Sequence, residues 1–396
     1  VKPVVLILFF ILTLGAARAQ DSCGLRITLL TCAPGNELYS IFGHTAIRVQ
    51  ESATGADEVY NYGTFEFGDD FYNRFVRGKL PYFLSVDPFR EFLYQYQYES
   101  RSVWEQELLL GCARKAELLR ALRINALPEN RQYRYDFLFD NCTTRSGTML
   151  LRFAAEPKRL TQVITVRTGQ APSFRNHIHE YLDRGGQPWS KLGIDLLLGA
   201  RLDRAATNGE AMFLPEKLMK GFTGATAAGQ LIVSAPKPIL ELPAPVSGGT
   251  LSPLLVFSVL LAVIALLSFV PAKGARTFIA GFDFFLFFSS GLIGILLLFM
   301  WFGTDHALCA NNWNLAWALP THALAAFFLR RERRWMHWYL LGTLVLLSAL
   351  LIGWVFVPQQ LNIGFLPVVL LLLLRAWLII LKPHYHGPQD SEPAER

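Results

Sequence analysis

The chain has 396 residues, 52% of them hydrophobic and only 17% charged, whereas a soluble domain carries about 25% charged residues. That balance excludes an ordinary soluble protein. The net charge of +6 could suit nucleic acid, but the densest basic run (Arg330, Arg331, Arg333, Arg334) lies between two apolar stretches, as a cytoplasmic loop should.

Residues 1–19 read as a removable export signal: Lys2 gives a basic start, Val4–Leu14 an apolar core and Ala17-Arg18-Ala19 a cleavage site. The core falls short of the roughly 20 residues of a comfortable span, although an uncleaved anchor is the rival reading. Cys23 follows Gln20-Asp21-Ser22 rather than small apolar residues, so the signal is not that of a lipoprotein. An exported address also argues against a nucleic-acid partner.

Residues 20–233 read as an extracytoplasmic globular domain, long enough to bury its own core. His44–Val49 and Val59–Phe67 alternate and are rich in β-branched and aromatic residues, so they form a predicted hairpin around Thr54–Asp57. His44 opens its strand directly after Gly43. Farther on, Tyr135–Asn141 leads into Cys142, after which Met149, Leu150, Leu151 and Phe153 follow a helical period. Asp140 or Asn141 is the predicted N-cap, which puts Cys142 in the first turn. There the helix dipole and free backbone N–H groups favour a thiolate, and a nearby His44 would take the thiol proton. Cys23, Cys32 and Cys112 share this domain and permit several disulfide pairings, so a bridge or an inert thiol remains an alternative for Cys142. His177 and His179 lie in a polar stretch and read as solvated surface.

Residues 234–253, rich in Pro, Gly and Ser, read as a short linker. Over 254–382, apolar stretches at Leu254–Val270, Phe284–Phe302, Leu315–Leu329, Trp338–Val357 and Leu361–Leu381 give five expected spans, with 383–396 as a cytoplasmic tail. Lys273, Arg276, the Arg330–Arg334 cluster and Lys382 fall on one side, while Thr304–Asn312 and Pro358–Gln360 carry no Lys or Arg. This positive-inside asymmetry supports five spans in the bacterial inner membrane. Pro320 makes the third span a broken or re-entrant helix, tolerated where protein buries it. Arg375 is expected to snorkel towards the cytoplasmic face. Asp305, His306, Asn311 and Asn314 form a polar outer rim, read either as an interfacial loop or as a substrate-headgroup contact.

Two kinds of resemblance bear on these residues. The order of His44 after Gly43, then Asn141-Cys142 at a helix start, resembles the circularly permuted papain-like folds of the NlpC and lecithin-retinol acyltransferase type. The FGHTAIRV, YNYGTFEF and DNCTTR runs, with WSKLGIDLLLG, FLPEKL and TDHALCANNWNLAWALP farther on, are similar to the bacterial Lnb-type lipoprotein N-acyltransferases. The resemblance implies an α+β papain-like domain followed by an all-α bundle of about five transmembrane helices. It also implies a Cys142–His44 acyltransferase that moves an acyl chain from a membrane phospholipid or lipoprotein donor to the N-terminal amine of a lipoprotein acceptor. No metal or cofactor is expected. Thr64 and Glu66 are the first candidates to orient His44, with Asn61 and Tyr62 behind them. Arg48 and Arg145 are candidates for phosphate contacts or ordinary salt bridges. A thiol hydrolase (lipase or cell-wall amidase) and a non-catalytic membrane scaffold are the rival functions.

Overall fold

The computed structural model describes residues 23–166, 169–243, 250–331 and 333–381. The expected signal and cytoplasmic tail lie outside the described residues. Strands β1 (Leu25–Cys32), β2 (His44–Glu51), β3 (Ala56–Thr64), β4 (Pro81–Pro88), β5 (Val103–Glu107) and β6 (Gln132–Arg134) form the body of an antiparallel sheet. Two-residue strands β7 (Lys158–Arg159), β8 (Thr226–Ala227) and β9 (Gln230–Leu231) form a small second sheet. Strand β10 (Lys237–Leu240) returns to the edge of the first, giving the order β10-β5-β1-β2-β3-β4-β6.

The expected hairpin is present as β2 and β3, with Glu51 paired to Ala56 and Ile47 to Tyr60. The period-2 pattern works because both faces are covered. Ile27, Leu29, Ile47, Val49 and Tyr60 pack with helix residues Leu118, Leu122 and Leu150. Leu30, Ala46 and Val59 cluster with Phe92 and Tyr96. Each such buried aliphatic side chain contributes about 1.5–3 kcal/mol of transfer free energy. The expected linker starts later than its composition suggested. Its opening residues become β10, and Ser102 holds Leu242 through both its backbone N–H and carbonyl at 3.0 Å.

Among the described residues of the membrane half, three helices are long and apolar enough to cross a bilayer: Lys273–Phe302, Arg334–Ile352 and Ile363–Leu381. A shorter apolar helix spans Pro253–Ser268. The expected third span is broken, as Pro320 suggested, into a turn at Trp313–Ala316, a short helix at Thr321–Ala325 and another turn at Ala326–Phe328. It presses against Gly291 and Gly294 of the long helix. A Cβ on Gly294 would sit 2.0 Å from the Ala318 carbonyl oxygen, and one on Gly291 2.0 Å from the Ala323 nitrogen. Small residues allow that approach, which buries irregular backbone in protein instead of lipid.

Arg375 does not snorkel. It is 2% exposed and forks onto Asp283 at 2.6 and 3.0 Å, with a further bond to the Ser268 hydroxyl. A planar guanidinium matches a carboxylate in this bidentate way, and a buried acid removes the incentive to reach for the interface. Asp283 lies within the long helix, where the apolar-run reading began only at Phe284.

Candidate active site

Gly43 starts the site. Its φ is +81°, and a Cβ there would lie 2.7 Å from the Cys32 carbonyl oxygen. Only glycine makes this turn, and His44 follows as the first residue of β2. Helices α1 (Phe71–Val76), α2 (Phe89–Tyr98) and α3 (Cys112–Asn125) precede α4 (Cys142–Arg152), which packs on β2 and β3. Asn141 is the N-cap. Its Oδ1 accepts from the Thr143 and Thr144 N–H groups at 2.8 Å each, and Thr144 Oγ1 accepts from the Asn141 N–H at 2.8 Å. Asn141 Nδ2 donates to the Phe137 and Phe213 carbonyls at 2.7 and 3.0 Å. This closed capping box fixes Cys142 as the first helical residue, where the dipole favours an anion.

Cys142 and His44 meet. Burial pushes the thiol up, but the charge of His44, its hydrogen bond and an N–H bond from Thr45 outweigh it and hold the thiol near about 7. Burial pulls His44 down, while the Cys142 charge and the bonds to Cys142 and Asn61 carry it above its ordinary value. Both shifts favour a thiolate–imidazolium pair. His44 Nε2 donates to Asn61 Oδ1 at 2.6 Å, leaving Nδ1 for the sulfur. The Thr143 hydroxyl lies 3.7 Å from Cys142 Sγ and 3.1 Å from the Thr45 hydroxyl.

The residue hydrogen-bonded to the His44 ring is therefore Asn61, one of the two candidates the sequence ranked behind Thr64 and Glu66. The hairpin closes more tightly than the turn around Thr54–Asp57 implied. Carried three residues beyond the Ile47–Tyr60 pair, its register puts Gly63 across from His44 and Asn61 on the diagonal of the same face. A register shift between Tyr62 and Thr64, with φ of +90° at Gly63, re-aims the strand end. A Cβ on Gly63 would lie in van der Waals contact with the Cys142 Cβ at 3.4 Å, so this strand end borders Cys142 directly. Thr64 instead bonds the Ser85 hydroxyl at 2.9 Å and the Asn61 carbonyl at 3.2 Å, bracing Asn61 from behind. Tyr62 is buried and its hydroxyl accepts from Asn125 at 2.6 Å, while Glu66 is exposed.

The two arginines are engaged with acids. Arg48 forks onto Asp57 at 2.7 and 2.6 Å and lies 3.3 Å above the Phe89 ring. Arg145 forks onto Asp140 at 2.6 and 2.8 Å and lies 3.5 Å over the Tyr133 ring. Among the cysteines, Cys23 pairs with Cys112, and Cys32, Cys142 and Cys309 are free thiols. The disulfide alternative for Cys142 thus falls away.

The polar rim fastens the two halves. Asp305 pairs with Arg134 at 3.2 Å and its N–H donates to the Arg77 carbonyl, while the His306 ring meets the Phe75 carbonyl at 3.0 Å. The Asn311 carbonyl accepts from Ala200 N–H, and Asn314 Nδ2 donates to the Asp195 and Leu196 carbonyls at 2.9 and 3.2 Å. Helices α5 (Phe174–Arg184) and α6 (Pro188–Leu197) supply the other side of this joint. Asp195, fully buried, receives Arg175 at 2.7 Å, His179 at 2.8 Å and Asn362 at 2.7 Å. His177 and His179 are therefore not solvated surface: they are 2% and 8% exposed. His179 turns inward to the buried Asp195, and Asn176 on the same helix donates to Gln360 of a membrane loop. Composition could not announce this, since Asp195 and Gln360 are distant in sequence from the helix that meets them.

Fold and site together define a membrane-anchored α+β domain with a Cys–His–Asn constellation held against the mouth of a helical bundle. Two family models match the chain: the Lnb N-terminal periplasmic domain over residues 16–172 and the Lnb transmembrane domain over residues 246–385. The chain belongs to the Lnb family, an inner-membrane protein whose N-terminal domain is periplasmic. No match was found among curated proteins or solved structures.

Proposed function

We propose that this protein is a lipoprotein N-acyltransferase that works through a Cys142 thioester. One observation carries the reading: a free thiol at a helix N-terminus, paired with an Asn61-oriented His44, in a domain bolted to a transmembrane bundle. In the first step the Cys142 thiolate attacks an ester carbonyl of a membrane lipid. The C–S bond forms, the C–O bond breaks, and the leaving alkoxide takes its proton from the His44 imidazolium. In the second step the α-amine of the acceptor's N-terminal cysteine attacks the thioester. The C–N bond forms, the thiolate leaves, and neutral His44 takes the amine proton. The Cys142 backbone N–H, at the start of the helix, is the natural donor to the oxyanion of both tetrahedral intermediates. Donor lipid and lipoprotein acceptor are both confined to the bilayer surface beside the site, which raises their effective concentration. The C-terminus falls in the cytoplasm under this arrangement, since the Leu366–Leu381 helix starts on the periplasmic side.

Mass spectrometry of lipoprotein N-termini tests the reading in cells with the protein, without it, and with Cys142→Ser. The expected result is an N-acyl group that appears only with the unaltered protein. Release of free fatty acid without any acylated amine would establish a hydrolase instead.

A further inference from the structure

A chain of aromatic rings runs from the surface of the periplasmic domain to Cys142. It begins at α1 and the residues just before it, where Phe67, Tyr72 and Phe75 are 76%, 77% and 51% exposed. Phe75 stacks on Phe71 at 5.9 Å, Phe71 on Phe65 at 5.7 Å, Phe65 meets Tyr82 edge-on at 5.5 Å, and Tyr82 stacks on Tyr135 at 4.4 Å. Tyr135 and Cys142 border the same point, lying 3.9 and 3.4 Å from where a Gly63 Cβ would be. A water-facing patch of this kind costs solubility, and such patches mark contact surfaces.

The position of the arm identifies what covers it. The long membrane helix ends at Phe302, and the next few residues clasp the arm: Asp305 N–H donates to the Arg77 carbonyl at 2.9 Å, and the His306 ring meets the Phe75 carbonyl. Gly78, at φ +68°, lets the backbones of the arm and of Asp305–His306 close to about van der Waals contact. The arm is thus clasped within a few residues of the end of a transmembrane helix whose last residue, Phe302, is 73% exposed and stacks on Trp301. Aromatic side chains favour the membrane–water interface.

We infer that the 65–78 arm dips into the outer leaflet and that its ring track receives the acyl chain of a donor lipid, guiding the ester carbonyl to Cys142. This rests on the acyl-transfer reading and deepens it. The occupant is an acyl chain of a bilayer lipid, because the track is built of ring faces, Phe75, Phe71, Phe65, Tyr82 and Tyr135 in succession, and the neighbouring Arg74 is held by Asp70.

The test uses the full-length protein in phosphatidylethanolamine–phosphatidylglycerol vesicles and follows the Cys142 acyl-thioester by mass spectrometry. Two donors are compared, the vesicle lipid and water-soluble p-nitrophenyl butyrate. For the triple variant Phe67→Ser, Tyr72→Ser, Phe75→Ser, the ratio of vesicle to soluble rates is expected to fall at least tenfold. An unchanged ratio overturns the track, whether or not both rates drop together. Benzoylphenylalanine at position 72 is expected to form a photo-adduct with lipid, and absence of a lipid adduct also overturns it. If the unaltered protein forms no thioester with either donor, the acyl-transfer reading itself fails.

Discussion

At the residue scale, the site depends on a proton shared between two groups whose environments pull in opposite directions. Burial alone would keep Cys142 a neutral thiol and His44 a neutral imidazole, and their mutual attraction reverses both. Carbamidomethylation of Cys142, followed peptide by peptide against pH, should therefore rise with a midpoint near about 7. His44→Ala leaves the burial without the compensating charge, so the midpoint should move above the ordinary thiol range. The linked stability has a definite sign. Because folding lowers the thiol pKa, Cys142 contributes stability above the unfolded thiol's value and loses it as pH falls through about 7. His44 does the reverse, being raised by folding, so its contribution is lost as pH rises through its folded value. Asn61 acts through His44 by holding the ring with Nδ1 towards sulfur. Asn61→Ala should lower kcat by roughly 10- to 100-fold, on the scale of lost orientation in general acid–base catalysis, with KM for the lipid little changed. Asn61→Asp should restore part of the rate and displace the pH profile upward, since a carboxylate stabilises the imidazolium.

At the element scale, the α4 start and the β2–β3 hairpin are separate devices brought together by register. The capping box at Asn141–Thr144 satisfies N–H groups that a helix start otherwise leaves open, and Asn141 also ties the cap to Phe137 and Phe213. Asn141→Ala should cost about 1–2 kcal/mol in thermal or denaturant unfolding, and should cost acyl-enzyme formation more than global stability explains. Conversely, Asn141→Ser keeps an N-cap oxygen and should recover most of the stability but less of the rate, because it cannot reach both carbonyls. In the membrane, the Arg375–Asp283 pair predicts strong non-additivity. Either single change to an apolar residue should destabilise by about 3–5 kcal/mol by stranding a charge. The double change Arg375→Met, Asp283→Leu should recover most of that loss in a thermal-shift assay. Additive losses would contradict a paired role.

At the scale of the whole molecule, the periplasmic domain is held in place by the Asp305–His306 clasp and by a joint of one buried carboxylate and a set of amides. Asp195 binds Arg175 and His179 within its own domain and Asn362 from the bundle, while Asn312, Asn314 and Gln359 donate to carbonyls of residues 195–198. Neutral donors suit this joint, since each meets a carbonyl and none brings an unpaired charge into a dry interface. Asp195→Ala leaves the guanidinium of Arg175 with Asp203 and the Leu198 and Gly199 carbonyls and should loosen the two halves. Limited proteolysis in detergent should then separate the periplasmic domain from the bundle, with N-acylation of lipoproteins falling while Cys142 still reacts with a small soluble ester. Equal protection of mutant and unaltered protein would remove Asp195 from the joint.

Much of this was readable in the amino-acid order, for local reasons. Apolar runs, loop charge, the cap at Asn141, the strand start after Gly43 and the break at Pro320 depend on neighbours within a few residues, where periodicity and backbone chemistry act directly. Those features set the membrane class of the chain and put Cys142 at a helix start and His44 at a strand start, while the pairing of the two is implied by the family resemblance. What the sequence left open depends on contacts between distant segments. The choice of Asn61 over Thr64 rests on a two-residue difference in hairpin register, and the inward turn of His179 on an aspartate sixteen residues away. Asp305 and Asn314 become fasteners only because the periplasmic domain settles against their loop. Long-range hydrogen bonds and ion pairs follow from packing geometry, and packing is the quantity that a linear pattern does not encode.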